Sequence, residues 1–93
     1  MRETFKTELH YKNYCYKIIR AKIMESKVLN PHVVLDYDRL NRVIKRVWES
    51  DYLELKICFI RALGRIELKT VSHPVKDFRH QVDHLLDIYG GDN

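Results

Sequence analysis

The stretch from Asp36 to Ser50, DYDRLNRVIKRVWES, constrains the fold more than any other. At about 100° per residue, Tyr37, Leu40, Val43, Ile44, Val47 and Trp48 gather on one side of a helix. Arg39, Arg42, Lys45 and Arg46 gather on the other, and no acid interrupts them between Asp38 and Glu49. Such a helix has an apolar face to bury and a cationic face to leave in water. Asp36 or Asp38 suits the N-cap and the positive end of the helix dipole, while Lys45 and Arg46 suit its negative end.

Punctuation in the rest of the chain is sparse. Three Gly and two Pro are too few for an all-β chain with many tight turns, so the prior leans to helix. At 45% hydrophobic and 32% charged, the composition is that of a globular protein rather than a disordered tail. Residues 1–93 read as a single compact domain with a modest core. The apolar runs are too short to cross a bilayer. MRETFKTELH has no apolar signal region, which favours a cytoplasmic protein. Cys15 and Cys58 then read as reduced and buried rather than bridged.

Residues 3–28 read as one long helix. Phe5, Leu9, Tyr16, Ile19 and Ile23 make one stripe, and Tyr11, Tyr14, Ile18 and Ala21 a second, nearly opposite. A helix apolar on two sides needs two partners, within its own domain or in a second subunit, and a homodimer is one solution. A strand over Tyr14 to Ile18 is the competing assignment. Asn30-Pro31 breaks this element with a turn.

Residues 51–71 fit two patterns. As a helix they are apolar round most of the circumference, with only Glu54, Arg61 and Arg65 left outside; this would be the central, most buried helix, opened by a capping box of Asp51 and Glu54. As a β-hairpin over residues 53–70, Glu54 would face Lys69 and Lys56 would face Glu67. Good helix formers and few turn residues favour the helix. The last element is plainer. Ser72 or His73 caps it, Pro74 sits at the first helical position, Val75, Phe78, Val82, Leu85, Leu86 and Tyr89 make its stripe, and Gly90-Gly91 stops it. The expected fold is mainly α, a small bundle of three or four helices, with an α+β fold carrying the hairpin as the alternative.

Charge directs the functional reading. The net charge is +4, and residues 1–50 carry eleven Lys/Arg against six Asp/Glu, whereas residues 51–93 carry six against seven. An anionic partner for the first half follows, either nucleic acid or an acidic protein surface, including that of a nucleic-acid-binding protein. Arg39, Arg42, Lys45 and Arg46 are the candidate contacts, joined by Lys17 and Arg20 if the first two helices are antiparallel. Asn41, at the edge of this face, is of the type that a base-reading helix usually adds among its cations. Tyr11, Tyr14 and Tyr16 could stack bases, anchor a protein interface or simply line the core. The second function class is therefore a module or inhibitor that docks on a partner protein through this first helix.

Catalysis has little support. Both cysteines sit among apolar residues, where a thiol is inert. His80 and His84 have the spacing of two metal ligands, but no third lies nearby in sequence. A non-enzymatic regulatory protein without cofactor or metal is the expectation.

Overall fold

The computed structural model describes residues 5–26, 29–30, 32–67 and 73–90. Four helices follow in order: α1 (Glu8–Glu25), α2 (Tyr37–Glu49), α3 (Leu53–Gly64) and α4 (Pro74–Gly90). There are no strands among the described residues, 77% of which are helical, so the fold is a small helical bundle and the hairpin alternative is excluded where it can be seen. Positions 68–70 of that hairpin lie outside the described residues.

Each helix begins and ends for a local reason. The Thr7 side chain accepts the His10 N–H at 3.1 Å, which starts α1 later than residue 3. Asp36 accepts the Arg39 N–H at 3.0 Å and is the N-cap of α2, with Asp38 in its first turn. The Asn30 side chain accepts the His32 N–H at 2.8 Å, which makes the expected turn before it. The capping box of Asp51 and Glu54 does not form. Instead α3 starts one residue after Tyr52, which gives no side-chain cap, and the Tyr52 N–H donates to Ser50 Oγ at 3.2 Å. Pro74 opens α4, and the His73 carbonyl accepts the Asp77 N–H at 2.9 Å.

Two of the expected apolar stripes face the core, though Tyr37 is exposed and Trp48, Val75, Leu85 and Tyr89 are only partly buried. In α2, Leu40, Val43, Ile44 and Val47 are buried; in α4, Phe78, Val82 and Leu86 are. The first helix differs. Its buried stripe is Tyr11, Cys15, Ile19 and Ile23, one residue in every four, while Leu9 is 64% exposed. Tyr14, Tyr16 and Ile18 flank this stripe, partly buried against the core. The two apolar sides of α1 are thus the two edges of one broad face, which meets α2 and α3 of the same chain. Leu29, Val33 and Leu35, between α1 and α2, add to the same core.

α2 and α3 form the middle of the bundle, with α1 against both on one side and α4 against both on the other. α1 and α2 are antiparallel, since Tyr16 meets Asn41 and Tyr37 while Tyr11 meets Trp48. α3 and α4 are antiparallel too. The Phe59 and Tyr89 rings meet edge to face at 5.1 Å, and Gln81 Nε2 donates to the Glu67 carbonyl at 2.7 Å. Gly90 allows α4 to close on α2, since a β-carbon there would lie 3.2 Å from Val43 Cγ2.

Candidate functional site

The core face of α2 sets the direction of its basic face. With Leu40, Val43, Ile44 and Val47 turned inward, Arg42, Lys45 and Arg46 are exposed. Among the described residues no carboxylate pairs with any of these three. Arg39 is different. It lies at the edge of α2 that meets α4, its side chain is only 26% exposed, and its guanidinium is ion-paired with Asp87 of α4. The four-residue cationic face drawn from the sequence is therefore three exposed cations and one already engaged.

Lys17 and Arg20 are exposed on α1. Because α1 and α2 are antiparallel, both can be placed relative to the Tyr16–Asn41 contact. Arg20 is roughly 40° beyond Tyr16 on the helical wheel, and Lys45 is the same step beyond Asn41. Both therefore stand on the outer lip of the α1–α2 seam, on either side of that contact and about 12 Å apart along it. Arg42 lies above the seam on α2. Lys17 is about 60° further round α1, on its outer side, and Arg46 is on the side of α2 nearer α4. The structure thus brings Arg20, Arg42 and Lys45 to one lip, with Lys17 and Arg46 as outliers.

The floor of the seam is aromatic and polar. The Tyr16 hydroxyl donates to Asn41 Oδ1, and the Tyr16 and Tyr37 rings stack with centroids 6.1 Å apart. Burial raises the Tyr16 pKa, with Tyr37 and Cys15 adding to the effect and the Asn41 hydrogen bond partly opposing it. The hydroxyl is therefore a lasting donor to Asn41. Asn41 thus has its side-chain oxygen engaged inside the protein.

The three tyrosines do not form a surface cluster. Tyr11 is fully buried and its hydroxyl donates to the Lys56 carbonyl at 2.7 Å, so the expectation that it contributes to an exposed interface is corrected. Burial, and after it Cys15 and Tyr89, push its pKa well above the ordinary tyrosine value. Phe5 packs edge-on to both Tyr11 and Tyr14, at 5.0 and 5.3 Å, which leaves Tyr14 half-buried. Sequence spacing placed these residues together, but it did not show that the core lies between them.

The thiols also separate. Cys15 is buried and its pKa is pushed up to about 12, chiefly by desolvation, so no thiolate is available near neutrality. Cys58 is free and exposed on α3, contrary to the expectation that both cysteines are buried. His80 and His84 are exposed on α4, and no group of three or more His, Cys, Asp or Glu converges as a metal site among the described residues. No described helix is long and apolar enough to cross a membrane.

Compared with known proteins, the chain matches no protein-family model, no curated protein and no solved structure.

Proposed function

We propose that the protein is a small non-enzymatic binding protein that holds nucleic acid, or a nucleoprotein, against the exposed cations of α2 and α1. The observation that carries this reading is the set Arg42, Lys45 and Arg46, exposed on a helix locked into the core and without a carboxylate partner among the described residues. Arg20 extends the set across the seam and Lys17 lies beyond it. Phosphate contact needs clustered cations at fixed spacing and little else. The Asn41 carbonyl oxygen is tied to Tyr16, and phosphate contact by the cations is binding by charge that carries no sequence preference of its own. The deeply desolvated Cys15 suits a protein that performs no thiol chemistry, and unbridged cysteines suit a reducing compartment such as the cytoplasm.

Docking on a partner protein through Tyr11, Tyr14 and Tyr16 is the weaker reading, because Tyr11 offers no surface and Tyr16 spends its hydroxyl internally.

Salt separates the two. Binding of a labelled duplex should weaken with a log–log slope of about −0.9 per phosphate contacted. Replacing Arg42, Lys45 and Arg46 together by Gln should remove up to three such contacts, flattening the slope by about 2.7 and lowering affinity by orders of magnitude at low salt. Circular dichroism should show an unchanged helix content. A duplex affinity that ignores salt, or a triple variant that binds as the parent does, would refute the proposal.

A further inference from the structure

α3 is the most apolar helix of the bundle, yet the bundle leaves much of it uncovered. α3, LELKICFIRALG, has only Glu54, Lys56 and Arg61 as charged residues, yet it buries just Phe59, Ile60 and Leu63. Leu53 is 56% exposed, Cys58 is exposed, and Leu55, Ile57 and Ala62 are only half-buried. Tyr52, immediately before the helix, is 73% exposed. A helix apolar round most of its circumference ordinarily lies inside a structure, and a solvated apolar face of this kind marks a contact surface.

Charge on the same face identifies what covers it. Asp51 and Glu54 stand exposed at the start of α3, and Arg61 and Arg65 stand exposed at its end. Among the described residues none of the four has an ion-pair partner. On a helical wheel Glu54, Arg61 and Arg65 form one strip, with Leu53 and Ile57 on one flank and Cys58, Ala62 and Leu55 on the other. Acid leads and base follows, so the strip is complementary to itself turned end for end. In a two-fold symmetric pair every contact is made twice, and residues whose numbers sum to a constant face one another. One register, near a sum of 115 to 116, sets Glu54 against Arg61 of the partner subunit and Asp51 against Arg65 of the partner subunit. The same register brings Ile57 onto Cys58 of the partner subunit at the axis.

We propose that a second copy of this chain docks on α3, antiparallel to it, forming a homodimer whose centre is Ile57 and Cys58 and whose ends are the Glu54–Arg61 and Asp51–Arg65 pairs. Like charges would meet in a parallel arrangement, whereas the antiparallel one also opposes the two helix dipoles. The surface is separate from Arg42, Lys45 and Arg46, so the dimer does not depend on the nucleic-acid reading.

A charge swap tests it, read by sedimentation equilibrium on the full chain, with circular dichroism to confirm folding. Glu54→Arg and Arg61→Glu should each weaken the dimer at least tenfold, since each places like charges together twice. The double variant E54R/R61E restores opposite charges and should return the affinity to near that of the parent. Isotope-filtered NMR on mixed labelled and unlabelled protein should show contacts between the Ile57 methyls and Cys58 of the partner subunit. A chain that stays monomeric at NMR concentrations overturns the proposal. So does a dimer indifferent to both single substitutions, a double variant no better than the singles, or intermolecular contacts that arise only from another helix.

Discussion

Cys15 and Cys58 are one chemical group in two surroundings, and the difference is measurable. Cys15 lies within the core stripe of α1 with its thiol held protonated to about pH 12, whereas Cys58 is exposed on α3. Thiol labelling of dilute native protein at mildly alkaline pH should therefore modify Cys58 promptly and Cys15 only on the timescale of unfolding. Rapid reaction of both would mean that α1 does not pack as described. Tyr11 offers a second probe. Its hydroxyl donates to the Lys56 carbonyl at 2.7 Å, so Tyr11→Phe should cost about 1 kcal/mol in urea denaturation. Tyr11→Ala also removes the ring that Phe5 and Trp48 pack against, and should cost about 3–5 kcal/mol. That is a large part of the stability of a domain of this size.

Among the elements, α2 carries both the fold and the proposed site, and at its edge against α4 Arg39 is ion-paired with Asp87. Replacing Asp87 by Asn removes the carboxylate paired with Arg39. Asp87 is two-thirds exposed, so the change in stability should be small, about 0–1 kcal/mol. Urea denaturation of D87N checks this, and a loss of much more than about 1 kcal/mol would mean that solvent screens the pair less than its exposure implies. How legible each helix was follows from its pattern. α2 and α4 could be drawn from sequence because their apolar residues fall on one side, and Asp36 and Pro74 mark their starts. α1 is legible as a helix but its buried face is not, since Phe5, Leu9, Tyr11, Tyr14, Tyr16 and Ile18 leave no clean gap, and only the packed partners reveal that the one-in-four stripe is inside. α3 satisfied helical and alternating periods at once. Its hydrophobic content implies internal cover, yet Leu53 and Cys58 stand exposed because only one side of the helix meets the rest of the bundle. In the candidate site the basic residue types were readable, but the Arg39–Asp87 pair spans 48 positions and has no local signature.

At the scale of the whole molecule, Tyr11 and Cys15 place two weak acids in the same core, and this sets how the fold responds to alkali. Both have folded-state pKa values raised above their ordinary ones, Cys15 from 9.0 to about 12 and Tyr11 upward from 10.0, with desolvation the leading cause in each. Between the unfolded and folded values the native state holds a proton that the unfolded chain has released, so unfolding becomes easier as pH rises. The contribution is whole below about pH 9 and is lost progressively toward pH 12. Each group contributes at most about 1.4 kcal/mol per pH unit. From about pH 9 to 10 the decline belongs mainly to Cys15, because the ordinary tyrosine value lies higher. Self-repulsion is small where this decline begins, because the sequence pI is about 9.1, and it grows with the negative charge at higher pH in parent and variant alike. Urea denaturation across this range should show stability falling from about pH 9. The Cys15→Ala variant, though less stable throughout because of the cavity it leaves, should be nearly flat from pH 9 to 10 and decline only beyond. A variant with the same alkaline slope as the parent would place the responsible proton elsewhere and remove Cys15 from the desolvated core.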